Sequence, residues 1–311
     1  VIIINKSDLI TPLQLVLIAM TAIGLKNHVF AISPLVQTAG RDAWMAVLFT
    51  MIVTVIWVPL LIYINKNSKR RSLFVWLTES VGSKASKFLA LMLIIYLLLM
   101  SSVTLRETIT WTNIVFLPQT PIFLLTFLFL FTCWHLAVTN LRTLSIVNIF
   151  LLFFIVVFGF LVAFANIPHK NYSLLLPILE HGYDPVFRSM IFQASGMIEL
   201  FIFVLLQHKV NAPLNFRHFL AIIVVLTGLT LGPLVGAIIE FGPIEASRQR
   251  YPPYEEWGLV RFGNFIEHLD FLSIYQWLAG GFIRISLLLL LIKEALPVKT
   301  ESRKKRVLFL F

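Results

Sequence analysis

Apolar runs about as long as a bilayer crossing recur along the chain, separated by polar or charged stretches. A helix needs roughly 20 apolar residues to cross the hydrocarbon core, and eight such runs follow one another. They are Leu13 to Leu35, Trp44 to Ile64, Phe88 to Leu105, Ile122 to Val138, Leu144 to Ala165, Val186 to Leu206, Phe219 to Ile239 and Phe271 to Ile292. A ninth starts at Val307 and reaches Phe311. The pattern predicts an all-α polytopic membrane protein with eight complete transmembrane helices and the start of a ninth. Two connecting segments are also periodic. Leu73, Trp76, Leu77 and Val81 recur among basic residues, as in an interfacial helix. Trp257, Val260, Phe265 and Leu269 follow Pro252-Pro253 and predict a helix lying over one end of the bundle. An ordinary amphipathic linker is the plainer alternative for each.

Composition agrees. The 311 residues are 59% hydrophobic and 13% charged, against about 25% charged in soluble domains. A soluble globule and a disordered chain are both excluded. One cysteine, Cys133, excludes an internal disulfide framework and any CxxC site. The net charge of +10 could suggest nucleic acid, but its placement explains it otherwise. Sixteen of the 25 Lys and Arg fall on one side of the predicted spans, among them Lys6, Lys66, Lys69, Arg70, Arg71, Lys209, Arg217 and Lys299. Seven fall on the other, and Lys26 and Arg284 lie inside spans. The positive-inside rule then makes the N-terminus cytoplasmic, and no nucleic-acid partner is expected. Val1 begins without a basic n-region or cleavage pattern, which argues against a removable signal peptide, and both ends have the look of a fragment.

Enzyme chemistry has no foothold. HExxH, P-loop, GxSxG and GxGxxG patterns are absent. His181 and Asp184 sit on a predicted loop, and Cys133 with His135 reads as a packed pair rather than a metal site. No cofactor and no metal are expected. What remains is a pair of polar interruptions. The first span contains Thr21-Ala22-Ile23-Gly24-Leu25-Lys26-Asn27-His28, and the sixth contains Gln193-Ala194-Ser195-Gly196-Met197-Ile198-Glu199. Transporter-type folds bind solutes where helices break at the bilayer midplane, and spans five apart correspond in a five-plus-five inverted repeat.

Ordered motifs along most of the chain carry a resemblance. They are Thr38-Ala39-Gly40-Arg41-Asp42-Ala43-Trp44, Leu105-Arg106-Glu107, Leu175 to Gly182, Ser195 to Leu200, Tyr251-Pro252-Pro253-Tyr254, Phe265 to Asp270 and Trp277 to Ile283. The chain resembles the spore germination B-subunit family, the GerAB-like endospore permeases of the amino acid–polyamine–organocation (APC) superfamily. The resemblance implies a LeuT-like fold of ten helices in two inverted repeats, here residues 1–165 and a C-terminally truncated 166–311. It implies the membrane subunit of a nutrient germinant receptor in the endospore inner membrane, partnered by an A subunit and a lipoprotein C subunit. The ligand would be a small nutrient such as an amino acid. The sequence departs from the family in having Lys26 where the first break is usually richer in glycine.

The candidate ligand-binding residues are Thr21, Gly24, Leu25, Lys26, Tyr96, Gln193, Ser195, Gly196 and Glu199. Tyr96 is included because a mid-span hydroxyl seeks the bundle interior. Lys26 either pairs with Glu199 or snorkels along its stem to the surface. Arg106 and Glu107 are expected to end the third span, as a water or ion path or as a solvated helix end. Gly280 and Gly281 are expected at a close helix–helix approach. A secondary transporter of amino acids or related solutes is the alternative function, and a ligand-free scaffold a third.

Overall fold

A computed structural model describes residues 8–69, 71–261, 269–296 and 301–309. Lys6, Arg70, Lys299, Phe265 with the rest of 265–268, and the last two residues of the ninth run therefore lie outside the described residues. The described chain is helical, with no strand and a single backbone bridge between Ile10 and Val210. In order the helices are α1 (Pro12–Leu25), α2 (Ile32–Ala39), α3 (Ala43–Asn67), α4 (Leu73–Val81), α5 (Ser83–Val115), α6 (Ile122–Ala137) and α7 (Leu141–Ala165). There follow α8 (Asp184–Met197), α9 (Ile202–Leu206), α10 (Phe216–Phe241), α11 (Pro243–Arg248), α12 (Pro252–Gly258), α13 (Leu272–Ala295) and α14 (Glu301–Phe309). Among the described residues, five helical segments are long and apolar enough to cross a membrane: 12–67, 83–115, 141–165, 184–209 and 216–241.

Local chemistry sets the helix starts. Thr11 caps α1 reciprocally with Gln14, and Pro12 occupies the first turn, where its missing N–H costs nothing. Asn140 accepts from the Thr143 amide at the start of α7. Gly40, at φ +56°, breaks the path between α2 and α3 in a conformation most side chains avoid. The chain reverses there. Ile10 bonds to Lys209, and Gln207 donates to Ser68 Oγ at 2.6 Å, so both ends of the 12–67 segment meet residues 207–211. Its middle, Arg41 and Asp42, instead meets Leu176 to Glu180. The molecule thus has a basic end, with Lys66, Lys209 and Lys293, and an opposite end capped by α11 and α12.

Three expectations need correcting. The third span does not end at Arg106 and Glu107, because α5 runs on to Val115. Thr108, Ile109, Trp111 and Thr112 are buried beyond them, so packing rather than lipid contact sustains the extra turns. The two interruptions do not unwind. The first is a wider π turn at Lys26–Phe30, closed by Ala31 N–H on the Lys26 carbonyl, and the second is a tighter 3-10 turn at Ile198–Phe201. Cys133 is buried and His135 exposed, since positions two apart point to different sides of a helix.

Candidate functional site at the two helix interruptions

The π turn of the first span and the 3-10 turn of the sixth face each other, and their charged residues meet. Lys26 Nζ lies 3.1 Å from Glu199 Oε1 and donates to the Ser195 carbonyl at 2.7 Å. Its ammonium therefore points inward instead of snorkelling. Glu199 is fully buried, and its other partner is Arg284 from α13. The guanidinium grips the carboxylate with two parallel bonds, Nη1 to Oε2 at 2.7 Å and Nη2 to Oε1 at 2.8 Å. This fork geometry is the strong form of a charge-assisted bond. Arg284 also donates from Nη1 to the Ala22 carbonyl at 2.6 Å and from Nε to Thr104 Oγ1 at 3.1 Å. Helices α1, α5, α8 and α13 are thereby tied at one point, where two cations share one carboxylate. The cluster carries a net charge of +1.

Uncharged polar groups surround this centre. Gln193 donates to Thr230 Oγ1 on α10 at 3.1 Å. The Asn27 carboxamide is fully buried against Gly196, where a Cβ would overlap it, so close approach requires glycine there. The Ser195 hydroxyl bonds within its own helix to the Phe192 carbonyl at 2.7 Å. The ring of Tyr96 packs against Phe201, 5.9 Å between centroids, in the 3-10 turn. Thr21, Gly24 and Leu25 face another way, into a cavity of about 540 Å³ that Gly280 also lines and that contains none of Lys26, Tyr96, Gln193, Ser195, Gly196 or Glu199. Gly280 and Gly281 bring α13 close to its neighbours: a Cβ at Gly280 would lie 3.0 Å from Leu25, and one at Gly281 3.0 Å from Thr108.

Glu107 belongs to a different structure, at the capped end. It accepts from the Tyr251 hydroxyl and, at 2.8 Å, from Arg250 Nη2, joining α5 to the residues just before α12. Arg106 is exposed beside it. Burial and the Glu107 charge push the Tyr251 hydroxyl up to about 12, so it remains a donor throughout the physiological range. Beneath this latch Trp277 stacks on Trp111 at 4.0 Å, with Tyr251 edge-on at 4.7 Å and Phe30 of the π turn at 6.1 Å. Two of the sequence motifs, Leu105 to Glu107 and Tyr251 to Tyr254, are therefore halves of one contact. Thr38 to Trp44 and Leu175 to Gly182 form another, with Asp42 accepting from the Leu179 amide at 3.0 Å. Hydrogen bonds to charged groups contribute about 1.5–3 kcal/mol. Glu107→Gln is accordingly expected to raise amide exchange across α11 and α12 about tenfold or more, read by mass spectrometry. Unchanged exchange would return Glu107 to the reading of a solvated side chain.

Arg284 and Thr104 are missing from the sequence-based set of site residues. For Arg284 the signal was plain: a cation in mid-span is as costly as Lys26, at least about 2.5–3.5 kcal/mol on insertion scales. His28 is a second omission. Pro233 in α10 has no N–H to give its i−4 carbonyl, Leu229, and His28 Nδ1 sits 2.8 Å from that oxygen. The orphaned acceptor selects the Nδ1–H tautomer, which leaves Nε2 as a lone-pair site.

The family model described as "Spore germination protein" (Spore_permease) matches residues 9–308. The chain is 39% identical over 295 residues to spore germination protein XB of Bacillus anthracis, covering 95% of this chain and 83% of that one. It is 25% identical over 266 residues to the putative spore germination protein YfkT of Bacillus subtilis (strain 168), covering 85% and 72% respectively.

Proposed function

The chain belongs to the spore germination protein family, and we propose that it is the membrane subunit of a spore nutrient germinant receptor, sensing a small nutrient such as an amino acid. It is a multi-pass membrane protein. In this reading eight crossings of a LeuT-like fold, in repeats 1–165 and 166–311, lie in the spore inner membrane with the N-terminus cytoplasmic. An A subunit and a lipoprotein C subunit would complete the receptor. No covalent chemistry is assigned to it.

One observation carries the proposal: Glu199 is held between Lys26 and Arg284 where the interrupted first and sixth spans meet. A buried cluster with one cation in excess is complementary to a carboxylate. A zwitterionic nutrient offers both a carboxylate for Lys26 or Arg284 and an ammonium for Glu199. Binding would then exchange bonds between helices for bonds to ligand, and a ligand that favours the exchanged state shifts the balance of conformations. The Lys26 side chain is 18% exposed, which leaves the cluster an approach on that side.

The test is made in spores that lack their own B-type subunit and express this chain with its matching A and C subunits. Nutrient-triggered germination should be restored, and vesicles containing the chain alone should show no solute flux. Rapid amino-acid flux by the chain alone, with no germination response, would replace the receptor with a secondary transporter on the same site.

A further inference from the structure

We propose that the chain has a second binding chamber, suited to a primary ammonium group on an apolar stem, in the cavity bounded by α1, α7, α10, α12 and α13. The chamber stands apart from the Glu199 cluster, and the proposal holds whether or not the receptor reading does. Its volume, about 540 Å³, is that of a small-molecule site. Along most of its length the walls are aliphatic, with Leu152, Ile155 and Val156 on α7 opposite Val225 and Leu229 on α10. Glycines at 228, 232 and 236, one turn apart on α10, line it as well.

At the capped end the lining becomes acidic. Glu240 and Glu256 both face the chamber, with side-chain exposure of 2% for Glu240 and residue exposure of 8% for Glu256. Lys170 also lines it, with Nζ 3.9 Å from Glu240 Oε1 and a bond to the Ala163 carbonyl at 2.7 Å. Asn166 donates to Glu240 Oε2 at 2.9 Å and to the Glu256 carbonyl at 2.8 Å. Among the described residues that leaves two buried oxygens, Glu256 Oε1 and Asn166 Oδ1, accepting from no donor. A buried acceptor without a donor costs about 1–3 kcal/mol. With both carboxyls ionised, one lysine and two idle acceptors leave the site short of a charged donor, and a primary ammonium supplies the charge with three N–H groups. Tyr254, Trp257 and Trp277 also line the chamber, and aromatic rings attract cations. Burial and the neighbouring Glu240 push the Glu256 carboxyl well above the carboxylate range, so an arriving cation is what lets it ionise. The stem would lie among the aliphatic residues. A soluble amine and an amine-headed lipid share this chemistry.

The full chain in phosphatidylglycerol nanodiscs is titrated calorimetrically with hexylammonium, and with hexanol as the uncharged match. Saturable binding of hexylammonium is expected, at least tenfold weaker after Glu256→Gln, with hexanol at least tenfold weaker than the amine. Gly232→Leu is a second variant. A Cβ there meets nothing within 4 Å, so the added side chain fills the chamber without forcing the fold, and it too should weaken binding at least tenfold. Repeating the titration with phosphatidylethanolamine in the disc separates the sources. A rise in apparent Kd with its fraction points to the lipid headgroup, and no rise to a soluble amine; either supports the chamber. Equal binding of hexanol, or hexylammonium binding indifferent to both substitutions, would overturn it.

Discussion

On the proposed receptor function, spores that carry Glu199→Gln in this chain are expected to need at least tenfold more nutrient for half-maximal germination, with abundance of the chain close to wild type. The substitution keeps the size and one acceptor oxygen but removes the negative charge. Lys26 and Arg284 then share the site with no counter-charge, and removing one partner of a buried ion pair typically costs about 3–5 kcal/mol. Gln can still accept from Arg284, which places the loss of stability near the lower end of that range. For a zwitterionic nutrient bound as proposed the change is larger: its carboxylate would meet the same two cations, but its ammonium would lose Glu199. Glu199→Ala removes the acceptors as well and should lower abundance, so dose response and immunoblot together separate sensing from folding. Lys26→Met in the Glu199→Gln background restores charge balance to a single cation. It should recover thermal stability without recovering sensitivity. An unchanged dose response for Glu199→Gln would remove the cluster from nutrient recognition.

Much of this arrangement is legible in the sequence, for a reason that also marks where legibility stops. Hydropathy reports which residues can face lipid, so it locates apolar helices well: the fourth apolar run, Ile122 to Val138, coincides with α6 to within one residue. It does not report where a helix ends. Arg106 and Glu107 look terminal by polarity, yet α5 continues because Thr108, Trp111 and Thr112 have partners to pack against. Lys26 and Glu199 stand out because an ionisable residue in hydrocarbon needs a partner, and the same reasoning applied to Arg284 would have completed the cluster. Which partner each finds is another matter. Glu107 and Tyr251 are 144 positions apart, and no periodicity connects them. The His28 contact is hidden more deeply, since it depends on a proline in another helix withholding a donor. Depth in the membrane can be read locally, whereas juxtaposition across the bundle needs the fold.

Gly281→Leu is expected to deplete folded protein in the membrane, measured as the monodisperse fraction on size-exclusion chromatography after detergent extraction. At this position a Cβ alone would lie 3.0 Å from Thr108 Oγ1, 3.2 Å from its Cγ2 and 3.4 Å from Phe129 Cζ. Thr108 is fully buried on α5 and, being β-branched, has few rotamers into which to retreat. Three further carbons would have to push α13 away from α5 and α6. Overpacking of this kind costs about 1–3 kcal/mol and sometimes more. The strain also bears on the charge cluster, because Arg284 lies three residues further along the same helix, a rise of about 4.5 Å. Its bonds to Glu199 are 2.7 and 2.8 Å long, and a shift of about 1 Å carries them past hydrogen-bonding distance. Gly228→Leu provides the contrast: it is the same substitution in α10, where a Cβ meets nothing within 4 Å, and the folded yield should stay near wild type. Equal yields for the two variants would mean that small size at Gly281 is not what lets α13 seat its arginine.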